Sequence, residues 1–273
     1  MIAALLLSCQ EPRPLDQPQP PPETPVIQYA PPPEPLPEPE PEPEPPPEPP
    51  ENLIDWLIPY TEKREKLTQA YLAAHIGEER VTDDAAADSR MEPRVVVLHW
   101  TGGCCHKSAW NMFQPERRPH RPDLKGAKAL NVSAHFVVAR NGTIYRLIEA
   151  DRVARHTIGL NHLAIGVENV GDGKQYRLTQ AQIDANIALM RYLKASFPDI
   201  THLIGHHEYR AFEHAGHDYF QEHDTKRRTR KVDPGEDFMA AVRAGVADIG
   251  LLGPPEEPAE SEPAEPLSLT APP

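Results

Sequence analysis

The chain is short of several things, and each shortage narrows what it can be. Three cysteines in 273 residues, two of them adjacent, are too few for a disulfide framework. No apolar run approaches the roughly 18 residues of a membrane-spanning helix. Aromatic residues make up only 6%, and 28 basic residues face 41 acidic ones. That acid excess lies at the ends: residues 11–51 hold ten acids and one base, and residues 250–273 hold five acids and no base. The stretch between them is close to neutral. It offers no basic patch to neutralise phosphates, which argues against nucleic acid as a partner.

Proline is the abundance, with 34 residues, of which twenty fall in 11–50 and seven in 254–273. Proline mixed with glutamate and almost no aromatics cannot bury enough apolar surface to offset the entropy of ordering. Disorder is therefore expected in a 10–51 tether and a 250–273 acidic tail. The Pro-Glu repeats favour polyproline II, and like-charge repulsion stiffens them, giving the tether a reach on the order of 100 Å. An ordinary solvated linker is the alternative. Residues 1–9 run apolar from Ile2 to Leu7 and end at Ser8-Cys9. This resembles the end of a bacterial lipoprotein signal, which implies lipidation at Cys9, a membrane anchor and a place in the cell envelope. Gln10, where aspartate would retain a lipoprotein elsewhere, favours by the same resemblance the periplasmic side of the outer membrane. The alternative is an unprocessed apolar N-terminus with an idle thiol.

The middle is long enough for one well-buried domain with a small helical appendage. Residues 52–91 read as that appendage, with an apolar patch at Leu53, Ile54, Trp56 and Leu57. Thr61 then caps a helix bearing Leu67, Ala70, Tyr71 and Ala74. Over 92–249 the pattern alternates. "VVVLH" is a buried strand, "AHFVVA" and "TIYRLI" flank an Asn141-Gly142 hairpin turn, and "LAIGVENVG" is a further strand. Thr179 and Gln182 form a capping box for a helix with Ile183, Ile187, Met190, Leu193 and Phe197 on one stripe, stopped by Pro198. "THLIGH" returns as a strand, and Pro234 starts a last helix. The expected fold class is α/β, a central mixed sheet flanked by helices.

All thirteen histidines lie between His75 and His223, and His99 and His206 each end an apolar strand. Asp233 sits in "KVDPG" at the entry to a helix. Two imidazoles and a carboxylate make a three-ligand zinc site with a free fourth position, the arrangement of a catalytic zinc. The separations, 107 and 27 residues, are not specific by themselves.

Context supplies specificity. "VVVLHWTGG", "SAHFVVARNGTIYRLI", "ARHTIGLNHLAIGVENVG", "LIGHHEYR" and "RKVDPGEDF" stand in an order that resembles the zinc N-acetylmuramoyl-L-alanine amidases, whose domain is shared with phage lytic amidases and peptidoglycan recognition proteins. The resemblance implies hydrolysis of the amide joining N-acetylmuramic acid to L-alanine, with peptidoglycan or muropeptides as partners. It implies His99, His206 and Asp233 as zinc ligands, with Glu168 and Lys231 as catalytic residues. A recognition module that binds muramyl peptides without cutting them is the rival.

The residues agree with those two roles. Ile165 and Val167 alternate with Ala164, Gly166 and Glu168, so core-facing apolar side chains leave Glu168 toward a cleft. A carboxylate there can move a proton from water to the leaving nitrogen, and Lys231 can face a developing oxyanion. Taken singly, a salt-bridged strand acid and one more base in a basic run are the bland alternatives. His207 competes with His206, and the Gly-His order selects His206. His156 is expected either to contact substrate or to be a surface histidine, and His135 to hydrogen-bond within the sheet. Trp100 and Trp110 are expected to pack in the core rather than stack on sugars. The long stretch from Glu208 to Arg230, holding His214, His217 and His223, is expected to be a solvated loop shaping one cleft wall, with a second metal site as the alternative. Cys104 and Cys105 leave open a strained vicinal disulfide, two free thiols, or one thiol as an accidental metal ligand. The oligomeric state is not legible.

Overall fold

The computed structural model describes residues 47–77, 89–123, 125–226 and 228–256. Cys9, the tether up to residue 46 and the tail beyond residue 256 lie outside the described residues. In chain order the elements are β1 (Leu53–Asp55), α1 (Glu62–His75), β2 (Val95–Trp100), α2 (His106–Phe113), β3 (Phe136–Val138), β4 (Ile144–Arg146), β5 (Ala164–Asn169), α3 (Gln180–Ser196), β6 (His202–Gly205), α4 (Arg210–His214) and α5 (Glu236–Gly245). The strands form one sheet in the order β1-β4-β3-β5-β2-β6. Every neighbouring pair is parallel except β3 with β4, the hairpin that turns at Asn141-Gly142. Among the described residues, no helix is long and apolar enough to cross a membrane.

The central strands are buried on both faces, which is why they read as continuous apolar runs rather than as an alternation. Val96, Leu98, Ile165 and Val167 pack with Leu189, Met190 and Leu193 of α3 and with Met239 and Val242 of α5. The alternate residues Val95, Val97 and Ala164 pack with Leu160, Ile204 and Phe212. Pleating therefore places His99 on the face of Val95 and Val97, and Glu168 on the face of Ala164.

The segment 52–91 does more than an appendage would. Leu53–Asp55 is an edge strand paired in parallel with β4, and Tyr71, Leu72 and Ile76 join the main apolar cluster. Thr61 caps α1 by accepting from the Arg64 backbone N–H. The buried stripe of α1 includes polar residues that periodicity does not single out. Arg64 is 1% exposed because its guanidinium donates to the carbonyls of Phe113 and Gln114 at the end of α2, at 3.2 and 2.7 Å. Helix α3 has the expected capping box at Thr179 and Gln182. Its buried face, however, carries Gln182 and Asn186 where the apolar stripe pointed to Ile183 and Ile187, which are only partly buried. Gln182 donates to the carbonyls of Val138 and Val170, and Asn186 to the Asn169 side chain, so tertiary hydrogen bonds make those polar positions buriable. The last helix starts at Glu236, two residues after Pro234.

Candidate active site

Three parallel strands deliver the site from one end of the sheet, the carboxyl end, where open α/β sheets bind their ligands. β5, β2 and β6 lie side by side, with His99 in register with Glu168 and Leu98 with Gly205. β6 stops at Gly205, so His206 opens a short 3-10 turn, His206–Glu208, rather than ending the strand as its sequence suggests. Asp233 arrives from the other side, just before α5. His99 Nδ1 lies 2.9 Å from His206 Nδ1, and Asp233 Oδ2 lies 3.4 and 3.0 Å from those two nitrogens. These three residues are the one group of metal-ligating type among the described residues whose donor atoms gather this closely. His214, His217 and His223 form no such group there.

Hydrogen bonds behind the donors fix which atoms carry protons. His156 lies under its neighbours, and burial first, then the charge of His99, push its pKa well down, so the ring is neutral. Its Nε2–H donates to the Ala164 carbonyl at 3.0 Å, which leaves Nδ1 to accept. That Nδ1 is 3.2 Å from His99 Nε2. His99 therefore holds its proton on Nε2 and aims the bare Nδ1 lone pair at the shared point. Gly166 makes this possible, since a Cβ there would come within 2.7 Å of the His156 ring. Burial and then the His99 ring lower His206 to about 4. Burial would raise Asp233, but hydrogen bonds and charge from His206 and His99 outweigh it and hold the carboxyl well below the usual range.

Glu168 and Lys231 line the same cleft of about 270 Å³, together with His99, His156, His206 and Asp233. Glu168 Oε2 is buried without a hydrogen-bond partner. Burial first, and the Asp233 carboxylate second, push its pKa well above the ordinary value, against the pull of the Lys231 ammonium. A carboxyl held this way, on a residue lining a cleft with two imidazoles, can exchange protons with a group bound there. Every cleft residue expected from sequence is thus brought together here. Cys9 alone lies outside the described residues.

The sequence model of the family described as N-acetylmuramoyl-L-alanine amidase matches residues 89–236. The chain belongs to that amidase family. It is similar to a peptidoglycan recognition protein of Trichoplusia ni, 28% identical over 134 residues, which is 47% of this chain and 71% of the relative. Among solved structures, the N-acetylmuramoyl-L-alanine amidase LysC from Clostridium intestinale is 23% identical at a TM-score of 0.42, covering 57% of this chain and 87% of that one. Human PGRP-IBETAC, solved with glycosamyl muramyl pentapeptide, is 16% identical at a TM-score of 0.40, covering 57% and 86%. The family assignment rests on the matched segment and not on these modest superpositions.

The other histidines around this amidase-family site hold its parts in place. His207 does not compete for the donors' point. Its backbone N–H and its ring Nδ1 both lie 3.0 Å from the Asp233 carbonyl, so it pins the segment that carries Asp233. His156, which is half-buried, lines the cleft and also orients His99, a role that no spacing reveals. His135 is fully buried and spans Gly166 N–H and the Arg152 carbonyl, at 2.9 and 2.7 Å. The stretch 208–230 is better fastened than a solvated loop. It holds α4, Tyr209 donates to the Thr229 carbonyl at 2.9 Å, and Glu222 pairs with His75 of α1 at 2.8 Å. Cys104 and Cys105 both carry free thiols.

Proposed function

We propose that this chain hydrolyses the amide between N-acetylmuramic acid and L-alanine in peptidoglycan, with a zinc ion held by His99, His206 and Asp233. The observation that carries the reading is the convergence of those three donors beside an unpartnered carboxylate oxygen of Glu168. The donor set suits the ion. A tetrahedral zinc with bonds of about 2.0–2.1 Å sets its ligands about 3.3 Å apart, against the 2.9, 3.0 and 3.4 Å found. A bare imidazole lone pair and a carboxylate held ionised are the forms a zinc ligand must take.

Bound there, zinc would supply Lewis acidity toward water and the amide carbonyl. The rest falls to the chain. Glu168 accepts a proton from the attacking water and returns it to the alanine nitrogen as the C–N bond breaks. Lys231 places its ammonium where the carbonyl oxygen gains negative charge. His156 and His207 keep His99 and Asp233 aimed.

The test is purified full chain incubated with peptidoglycan. Stem peptides with a new N-terminal alanine are expected, stopped by chelation and restored by zinc, with Asp233→Ala losing both metal and release. Retention on peptidoglycan without release of peptide would instead support the recognition module, a reading to which the Trichoplusia ni relative lends weight. Anchoring through a lipid on Cys9 is proposed from the first nine residues alone. Cys9→Ala is expected to shift the protein from the membrane to the soluble fraction, and an unchanged distribution defeats it.

A further inference from the structure

A cavity of about 510 Å³ lies outside the metal-site cleft and shares only Lys231 with it. Arg210 and Arg230 add two further cations to its lining, against the single carboxylate of Glu236. Arg210 is 3.4 Å from Glu213, an acid that Arg228 already holds at 2.6 Å. The side chains of Arg230 and Lys231 make no hydrogen bond or ion pair among the described residues. Arg210 and Arg230 are exposed, and so is Val232 beside them. Cations gathered around one space repel each other, and an anionic occupant relieves that repulsion.

The chain itself carries such an anion to the edge of this cavity. After α5, Leu252 forms a parallel bridge with His202 at the start of β6. Its N–H donates to the Thr201 carbonyl at 2.8 Å, and its carbonyl accepts from the Leu203 N–H at 2.9 Å. The polypeptide therefore leaves Leu252 heading for the carboxyl end of the sheet, the end where His207 and Tyr209 line the cavity. Gly253 confirms the position. A Cβ there would lie 3.9 Å from the Arg243 guanidinium, which donates to Glu208 at 3.0 Å, and Glu208 stands between His207 and Tyr209. Exposed Glu256 opens an acidic run, Glu256, Glu257, Glu260, Glu262 and Glu265, with no base beyond it. Ten residues at polyproline II spacing reach roughly 30 Å, ample to cross a cavity of this size.

We propose that the acidic segment 256–265 folds back onto the cavity lined by Arg210, Arg230 and Lys231 and acts as the protein's own competing anion. Seated there, it neutralises Lys231 and so weakens the attraction of the neighbouring cleft for anionic ligands. The contact is made of exposed charges, so it is weak one pair at a time and is screened by salt. It opens readily when a stronger anion arrives.

The test is binding of a synthetic peptide of residues 254–267 to two full-length chains, the wild type and one carrying E256Q, E257Q, E260Q, E262Q and E265Q. The glutamine chain, with its cavity open, is expected to take the peptide with a Kd on the order of 0.1 mM at low salt. The wild type should bind it about tenfold more weakly, because its tethered segment competes at an effective concentration on the order of millimolar. Adding Arg210→Ala and Arg230→Ala to the glutamine chain should cost about tenfold in peptide affinity. Equal binding by the two chains, no binding to either, or indifference to the arginine changes overturns the proposal. Carbodiimide coupling of mixed isotope-labelled and unlabelled wild-type chains gives a second readout. Links from Lys231 to residues 256–265 within one chain are expected, whereas links only between chains place the segment on a second copy and overturn the fold-back. Neither readout needs turnover, so this proposal and the amidase reading fail separately.

Discussion

The two halves of the sheet are built to different standards. In the half made of β1, β4 and β3, Ile144 and Leu147 are fully buried, Trp56 stacks on Trp110 and His106 on Tyr145, and Trp56 meets Tyr145 edge-on. In the half made of β5, β2 and β6, the strands end on groups the core does not absorb: the His99 and His206 imidazoles gathered with Asp233, a Glu168 oxygen without a hydrogen-bond partner, and Trp100, which joins no apolar cluster. Buried polar groups are normally satisfied, so an unpartnered carboxylate oxygen beside the gathered donors marks where the fold has conceded stability to chemistry.

That contrast can be broken from either side. The largest effect is expected from Glu168→Gln, which keeps the shape of the side chain but not its basicity. Turnover of muramoyl-peptide should fall by about 10³-fold while bound zinc stays stoichiometric. Thermal stability should hold or rise, since a group whose charged form burial disfavours has become an uncharged amide. Full activity in that variant removes Glu168 from the mechanism. Ile144→Ala is the converse, expected to lower unfolding free energy by about 2–5 kcal/mol in denaturant titrations while kcat at 25 °C stays within about twofold. An equal loss of kcat would show the two halves to be coupled.

The smallest effect concerns pH. Burial lowers His135 from 6.5 to about 4, against the Arg152 carbonyl and the Asp151 charge, which favour the charged form. The unfolded chain takes up a proton below pH 6.5 that the fold refuses until about pH 4. The stability from this residue is therefore complete above 6.5 and is lost as pH falls through that window. His135→Gln, which cannot titrate, should narrow its stability gap to wild type by about 2–3 kcal/mol between pH 7.5 and 4.5. A constant gap would mean that the imidazole is not held neutral.

Much of this was legible beforehand, for identifiable reasons. The strands carrying His99 and Glu168 are buried on both faces, and a run such as Val95–Leu98 has few other readings. Thr179 with Gln182 announced α3 because a capping box is local in sequence. Asp233 could be paired with two distant histidines only through the ordered family motifs, since spacing alone fixed nothing. What stayed hidden is what long-range hydrogen bonding decides. Arg64, Gln182 and Asn186 look solvent-facing until the carbonyls they serve are placed. His156 could be read as substrate contact or surface residue, but not as the group that sets the tautomer of His99. Leu53–Asp55 is too short to register as a strand until β4 lies alongside, and Trp100 was expected in a core that does not reach it.

The hydrogen bond between His75 and Glu222 reaches further than its size suggests. Glu222 lies in the stretch 208–230, its side chain is 1% exposed, and its partner comes from a helix that ends well before the family-matched segment begins. Trimming the polypeptide to residues 89–236 would strand an acidic group in a dry interior and uncover the apolar flank that Tyr71, Leu72 and Ile76 now shield. The smallest piece worth expressing therefore starts before β1 and runs through α5, and a shorter fragment that proves inert says nothing about the chemistry of the whole.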